Sequence, residues 1–403
     1  MSTKGNSLAQ TVLEKLLQKA ERAWAQRAER EHTLLFSEAS LPEYFRLPLR
    51  QDKDIAHAEL REAERDGAIS LEWDRRAGAD GQIVRTRLLD PNRVAAILGR
   101  TSAWQAYDQA LNTLGHWMHL GNVADILVRW RTGKTVRNLT PLNVLDVVDA
   151  CKVVEACRES TKADDVPIRR LSGQLFADSK RIEAIGAALD IVTAETLEPP
   201  WRDIEDVLRG LGLVKLPQPI LIAGNGVIKL NDETTLGIPS PYIGLSPASI
   251  QRLVLGENAT FILTVENLTT FHELALDKAG KPNGLVVYTG GMPSPAMLGV
   301  YSRSIKDILA KPGVTRFHWG DIDLGGVRIA ARIARTCEAP LLLWNMDPSI
   351  YPGYPARKYL ADDEVREIKR VSEKFGWQPI ASAIASDLRA IEQEVLPPSL
   401  PGA

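Results

Sequence analysis

Four short apolar runs in the last third of the chain constrain its fold more than any other feature. They are FILTV at 261–265, GLVVYTG at 284–290, TRFHWG at 315–320 and APLLLW at 339–344. Segments with helical spacing separate them, among them SPAMLGVYSRSIKDILA and GGVRIAARIART. Strands that are apolar on both faces and alternate with helices are typical of an α/β domain. We therefore predict a mostly parallel sheet flanked by helices over residues 251–403.

Three carboxylates follow these strands at the points where the strands end. Glu266 comes directly after the first run, and Asp321 and Asp323 come after the third. Functional groups gather at the carboxyl ends of parallel strands, and residues two apart in extended backbone point the same way. Carboxylates held together repel one another unless a cation neutralises them, and oxygen-only ligands favour Mg²⁺ or Mn²⁺. The pattern predicts a hard-metal site that acts on a phosphoryl group, although Asp323 alone is also typical of a helix cap.

The first hundred residues predict a helical arm followed by a winged-helix-like unit. Apolar residues at four-residue steps predict one helix over 8–34, and a second helix is predicted near 53–66. The alternating segments AISLEWDRR and IVRTRLLD flank the turn AGADGQ and predict a hairpin. On a winged helix, four arginines of this hairpin would face DNA phosphates. These are Arg75, Arg76, Arg85 and Arg87. The alternative is a solvated edge hairpin with ordinary charges.

The middle of the chain is predicted to contain a helical domain over 101–175 and a mixed α/β connector over 176–250. In the helical domain, Trp104, Trp117 and Trp130 are predicted to be buried anchors. The basic residues around the last of them are Arg129, Arg131, Lys134 and Arg137. They would bind a DNA backbone while Trp130 stacks on a base, or they would simply end a helix. In the connector, PILIAG and GVIKL predict a short hairpin.

Composition limits the classes of partner and compartment. The chain has 403 residues, with 49 Lys and Arg against 51 Asp and Glu, so DNA binding would have to come from local patches. No stretch approaches the roughly 20 apolar residues of a membrane helix, and the charged N-terminus does not resemble a signal peptide. Cys151, Cys157 and Cys337 lack metal-ligand spacing. They predict reduced thiols in a cytoplasmic protein.

The C-terminal motifs resemble the Toprim domain of topoisomerases and primases. VENLTTF at 265–271 is similar to the Glu-(Lys/Asn)-x-x-x-Phe start of the topoisomerase VI A-subunit type. GDIDLGGVRIA at 320–330 is similar to the signature Gly-Asp-x-Asp-x-x-Gly-x-x-Ile of that type. With HWGDIDLGG and the terminal segment AIEQEVLPP at 390–398, expected to be a helix, the chain most resembles the nuclease-subunit family of the Wadjet plasmid-defence system.

This resemblance implies a metal-dependent endonuclease that cuts plasmid or other foreign double-stranded DNA. Its metal ligands, for Mg²⁺ or Mn²⁺, would be Glu266, Asp321 and Asp323, with Glu392 or Glu394 added from the terminal helix. Lys180 and Arg181 would contact phosphate, or would be exposed cations at a helix start. Implied partners are an SMC-type ATPase, a kleisin, a small accessory subunit and a second copy of the chain in a homodimer. The chain has no GxxxxGK[ST] loop, so ATP hydrolysis would belong to another subunit.

The nucleophile is expected to be water activated by the metal. Topoisomerases of this class use a tyrosine, but Tyr44 and Tyr107 are expected to be packing residues. His318 is expected to be a packed histidine, with phosphate orientation as the alternative. Three other functions remain open on the sequence. They are a non-catalytic DNA-binding subunit, a topoisomerase-like DNA transesterase and a phosphoryl-transfer enzyme acting on a small molecule.

Overall fold

The computed structural model of the chain describes residues 7–47, 50–74, 81–159, 165–276 and 282–402. These residues divide into two compact units. The first contains the described residues up to Val148 together with Ile191–Leu197, and the second contains Asp149–Asp190 and the described residues from Glu198 onward. No helix in the described ranges is both long and apolar enough to span a membrane.

The first unit is mainly helical and carries one small sheet. In chain order its elements are α1 (Leu8–Ala25), β1 (Thr33–Leu35), α2 (Pro42–Phe45), α3 (Arg50–Arg65), β2 (Ile69–Trp73), β3 (Ile83–Leu88), α4 (Pro91–Ile97), α5 (Ala103–Leu114), α6 (Val123–Arg131) and α7 (Val144–Glu159), of which α7 crosses the boundary.

Helix α1 is shorter than the sequence predicted. Ser7 caps its start and Gln10 completes a capping box, while the apolar face at four-residue steps is buried as expected. The extension to residue 34 is wrong. The helix ends at Ala25, Arg27 has a left-handed φ of 55°, and residues 33–35 are extended and pair with β3. Leu34 is buried in that strand.

The predicted helix and hairpin of the first unit are confirmed. Helix α3 is followed by β2 and β3, which pair antiparallel with Ile69 opposite Leu88. The sheet has the order β1-β3-β2. Arg75 and Arg76, which come after β2 in the sequence, lie outside the described residues.

Only one of the three predicted tryptophan anchors is fully buried. Trp130 on α6 is 1% exposed, and its indole N–H donates to the Leu139 carbonyl at 3.1 Å. Trp104 and Trp117 are half-buried. The prediction that Trp130 stacks on a base is therefore wrong, because its ring is enclosed by its own domain.

The second unit is a mixed α/β structure. Its elements are β4 (Val166–Pro167), α8 (Ile168–Phe176), α9 (Arg181–Ala184), α10 (Gly186–Thr193), α11 (Ile204–Gly210), β5 (Leu213–Val214), β6 (Ile220–Gly224), β7 (Gly226–Leu230), β8 (Thr235–Gly237), β9 (Ile243–Leu245), β10 (Ile250–Leu255), β11 (Phe261–Val265), α12 (Leu268–Ala275), β12 (Gly284–Tyr288), α13 (Pro295–Leu309), β13 (Thr315–Trp319), α14 (Leu324–Ala334), β14 (Leu342–Leu343), β15 (Lys358–Tyr359), α15 (Asp362–Glu373), α16 (Gln378–Asp387) and β16 (Arg389–Ala390). Like α7, α10 crosses the boundary between the units.

The central sheet of the second unit has the order β14-β13-β11-β12-β6-β9. Strands β12, β11, β13 and β14 run parallel, while β6 and β9 add to one side antiparallel. The sheet is therefore mixed, and its parallel part contains the four runs predicted from the sequence. Every residue of β11 is buried, as a strand covered by helices on both faces requires.

The predicted hairpin over 220–230 is wrong. Strand β6 pairs with β12 and β9 in the central sheet, whereas β7 pairs with β8 and β10 in a separate sheet. The chain changes sheets at Gly224, which has a φ of 102° and packs so close to the Gly284 carbonyl that a Cβ would collide with it. Only glycine tolerates that backbone conformation and that approach.

Candidate functional site

The acidic residues predicted from the sequence meet at one edge of the central sheet. Strands β11 and β13 are parallel neighbours, with Val265 opposite Trp319, so Glu266 and Asp321 leave the sheet side by side. The backbone N–H of Glu266 donates to the Trp319 carbonyl at 3.0 Å. The N–H of Asp321 donates in turn to Oε2 of Glu266 at 3.2 Å. Strand register thus brings together two acids that are 55 residues apart.

Asp323 is the N-cap of α14. Its backbone is extended, and its Oδ1 accepts a hydrogen bond from Gly326 N–H at 2.9 Å. Gly326 packs against the backbone of Asp321, where a Cβ would collide with the carbonyl oxygen. The expected helix-cap role is therefore present, and the cap also holds Asp323 beside Asp321.

Burial and mutual repulsion disfavour ionisation at this edge. Burial raises the pKa of Glu266, and the neighbouring charge of Asp321 raises it further. Burial also raises the pKa of Asp321, while the hydrogen bond from Gln393 lowers it and the charge of Asp323 raises it. Removing these carboxylates from water therefore leaves negative charge that a proton or a cation would stabilise.

The three carboxylates keep oxygen atoms available for a ligand. Each has one oxygen held by a backbone N–H, and the other accepts no hydrogen bond from the described part of the chain. This donor set suits a hard divalent cation. At the same time, no three His, Cys, Asp or Glu side chains in the described ranges converge closely enough to hold a metal ion as they stand.

The C-terminal segment closes one side of the acidic edge, but not as the predicted helix. Ile391 pairs with Ile322, between the two aspartates, and residues 393–395 form a single 3₁₀ turn. Glu392 forms an ion pair with Arg357 at 3.3 Å. Glu394 accepts a hydrogen bond from the side chain of Asn267 at 3.1 Å. The helix prediction for 390–398 is wrong, since strand pairing with the aspartate loop replaces helical hydrogen bonds.

Two residues at this edge were not predicted from the sequence. Gln393, between the two glutamates, donates its N–H to Asp321 at 2.7 Å and is fully buried. Asp206 on α11 lies close enough for its charge to raise the pKa of Glu266, and burial raises its own pKa. Neither residue belongs to a local motif. The metal-ligand prediction for this segment fell instead on Glu392 and Glu394, the two glutamates on either side of Gln393.

Several predicted DNA-contacting cations have partners within their own unit. In the first unit, the half-buried Arg85 pairs with Glu72 at 3.7 Å, and the exposed Arg87 pairs with Glu31 at 3.7 Å. Arg129 and Arg137 also have interaction partners.

Four further predicted cations have different surroundings. The Arg131 guanidinium lies over the Trp24 ring at 4.1 Å. In the second unit, Arg181 begins α9 and pairs with Asp149 at 2.8 Å. It is therefore a half-buried, paired cation at a helix start. Lys134 and Lys180 are exposed.

The histidine and tyrosine predictions are confirmed as packing roles. His318 is fully buried beside Thr264, with 2.9 Å between Nδ1 and the hydroxyl oxygen, and burial lowers its pKa to about 3. Tyr44 is 1% exposed, and its hydroxyl lies 2.9 Å from Nε2 of His57. Tyr107 is half-buried and packs edge-on against Trp24.

Comparisons with known proteins match both halves of the chain. Residues 243–399 match the family model described as Wadjet protein JetD, C-terminal. Residues 13–190 match a model described as the N-terminal part of an uncharacterized protein conserved in bacteria. The Wadjet protein JetD of Bacillus cereus (strain Q1) is 26% identical over 276 residues. That alignment covers 66% of this chain and 65% of the relative, slightly less than two thirds of the relative's length.

Proposed function

We propose that the chain is the DNA-cutting subunit of a Wadjet-type defence system, because residues 243–399 match the JetD C-terminal family model and the chain is similar to a Wadjet protein JetD. In this proposal the second unit is a Toprim-type nuclease domain that hydrolyses phosphodiester bonds of plasmid or other foreign DNA. Glu266, Asp321 and Asp323 hold Mg²⁺ or Mn²⁺. The first unit, with its three-stranded sheet and helices, is a winged-helix-like DNA-binding part.

The observation that carries this proposal is the joining of Glu266 to Asp321 across two parallel strands. The hydrogen bond joins the strand ends that carry these two half-buried carboxylates, and neither carboxylate forms an ion pair with a described Lys or Arg. A divalent cation bound there would neutralise charge on a phosphoryl oxygen and lower the pKa of a bound water. The protein's own contribution is to hold the carboxylates in place. Strand register positions Glu266, and the cap of α14 positions Asp323.

The surroundings of Tyr44 support hydrolysis over attack by a tyrosine. Its side chain is enclosed in the core of the first unit, its hydroxyl is engaged by His57, and burial raises its pKa. A tyrosine nucleophile needs the opposite conditions, which are exposure and easy loss of its proton. Water is therefore the proposed nucleophile.

The proposed partners follow from the same similarity to JetD. They are double-stranded DNA, an SMC-type ATPase with its kleisin and accessory subunits, and a second copy of the chain that cuts the other strand. The proposed compartment is the cytoplasm.

A plasmid-nicking assay with Mn²⁺ or Mg²⁺ tests the activity. The wild-type chain is compared with Glu266→Gln and Asp321→Asn, and Glu273→Gln, an exposed glutamate on α12, is the matched control. We expect cutting by the wild type and the control only. An isolated subunit can be held inactive, so the assay is repeated with the SMC-type partners added. Cutting by both site variants would contradict the site, and no cutting under either condition would contradict the nuclease.

One observation favours a second candidate, a DNA-binding subunit without chemistry. No group of three potential metal ligands converges among the described residues, and Asp323 already serves as a helix cap. This candidate predicts salt-sensitive DNA binding with no cutting, with or without the partners.

A further inference from the structure

The C-terminal strap, defined as residues Ala390–Leu396, crosses the loop that carries the two aspartates. Ile391 and Ile322 exchange backbone hydrogen bonds at 2.9 and 3.3 Å. Ile322 stands between Asp321 and Asp323, so the strap is attached at the centre of the acidic loop. Both isoleucines are buried, which anchors this pairing in the core of the second unit.

Gln393 extends this attachment to the neighbouring strand end. Its backbone N–H donates to Oδ1 of Asp321 at 2.7 Å, and its side-chain Oε1 accepts from the backbone N–H of Asn267 at 2.8 Å. Asn267 directly follows Glu266. A single residue therefore contacts the strand ends that carry two of the proposed metal ligands.

The chemistry of a glutamine suits this position. Gln393 is 0% exposed, and its Nε2 has no hydrogen-bond partner in the described structure. An uncharged acceptor can hold the Asn267 N–H without adding a further negative charge beside Asp321. A buried donor without a partner is rare, and it occurs where a bound group or water completes the hydrogen bond.

We propose that Gln393 is a positioning residue that sets the separation of Glu266 and Asp321 for metal binding. The inference rests on the proposed function. It assigns no ligand role to Glu392 or Glu394. The Glu392 carboxylate forms an ion pair with Arg357, and the Glu394 carboxylate accepts a hydrogen bond from Asn267. Gln393 acts through the two strand ends and does not itself bind the ion.

Mn²⁺ binding to the full-length chain, measured by calorimetry without DNA, tests the inference independently of cutting. The variants are Gln393→Ala and Gln393→Met, the second of which keeps most of the packing but removes the acceptor. Gln251→Ala, at an exposed position of β10, is the matched control. Loss of a group that orients metal ligands weakens binding about 10-fold or more. We expect that loss in both Gln393 variants and none in the control.

The Mn²⁺ dependence of DNA cutting provides the second readout. If Gln393 positions the ligands, the Mn²⁺ concentration for half-maximal cutting rises in Gln393→Met, and saturating Mn²⁺ restores the rate. Wild-type Mn²⁺ affinity in a folded Gln393→Met variant would overturn the inference while leaving the proposed function intact. A wild-type chain that neither binds Mn²⁺ nor cuts DNA, even with its partners, would instead overturn both.

Discussion

The carboxylate of Glu266 accepts a hydrogen bond from the backbone N–H of Asp321, with 3.2 Å between Oε2 and the nitrogen. This contact joins the ends of two neighbouring parallel strands, β11 and β13. It orients one oxygen of Glu266 and leaves the other without a hydrogen bond from the described residues. The fold thus stabilises a geometry in which two carboxylates share a poorly hydrated edge of the sheet.

The first prediction concerns the pH dependence of stability without metal. Burial and repulsion raise the pKa of Glu266 and of Asp321 in the folded state, so the folded protein binds more protons than the unfolded chain above the ordinary carboxyl pKa values of 4.5 and 3.8. Stability then falls as the pH rises from those values through the raised ones. A tenfold change in proton affinity corresponds to about 1.4 kcal/mol.

Thermal unfolding in a chelating buffer between pH 5 and pH 8 measures this effect. Relative to wild type, Glu266→Gln should gain Tm as the pH rises, by roughly a few degrees at the upper end. Added Mn²⁺ should raise the Tm of the wild type more than that of the variant. A constant difference in Tm across this range would contradict the raised pKa values.

The second prediction concerns the close approach of Gly326 to the aspartate loop. In Gly326→Ala the new methyl group would collide with the Asp321 carbonyl, and backbone cannot move aside as a flexible side chain can. We expect a loss of about 2 kcal/mol or more in the free energy of unfolding, together with weaker Mn²⁺ binding. Gly173→Ala is the control, because Gly173 is also helical but has open space around it. It should be neutral or stabilise by about 0.5–1 kcal/mol in denaturant unfolding.

The third prediction separates hydrolysis from tyrosine attack. Tyr44→Phe removes the hydroxyl that lies 2.9 Å from His57, which leaves a buried nitrogen unpaired. We expect a loss of about 1–3 kcal/mol in stability with cutting retained. A denaturing gel of the wild-type reaction should show no DNA attached to protein. A covalent protein–DNA species that disappears in the variant would establish the transesterase alternative.

The fourth prediction concerns two arginines of β3. Among the described residues, Arg85 and Arg87 form only long ion pairs that are accessible to water and contribute little, so both remain available to phosphate. Replacing each with Gln should weaken DNA binding, and the slope of log affinity against log salt should fall by about 1 for each lost phosphate contact. Fluorescence anisotropy over a salt series measures this, with the exposed Arg170→Gln as the control. An unchanged salt slope would mean that this hairpin does not face DNA.

Local patterns in the sequence were enough to predict the parallel part of the central sheet and the acids at its edge. Strands covered on both faces are continuously apolar, so FILTV, GLVVYTG and TRFHWG were recognisable as apolar runs. Glu266 directly follows the first of these runs, and Asp321 directly follows the third. Helix α3 and the β2–β3 hairpin were predictable for the same kind of reason, since apolar spacing and turn residues are local signals.

Other features depend on contacts between distant segments, and local patterns did not predict them. Gln393 meets Asn267 across 126 positions of the sequence, and Asp206 reaches the edge from α11. The pairing of 33–35 with β3 ended α1 early, and the pairing of Ile391 with Ile322 replaced the terminal helix. Local periodicity reports which face of a segment is buried, but not which partner buries it. Hydrogen bonding between segments therefore set the strand ends, the strap and the surroundings of the acidic edge.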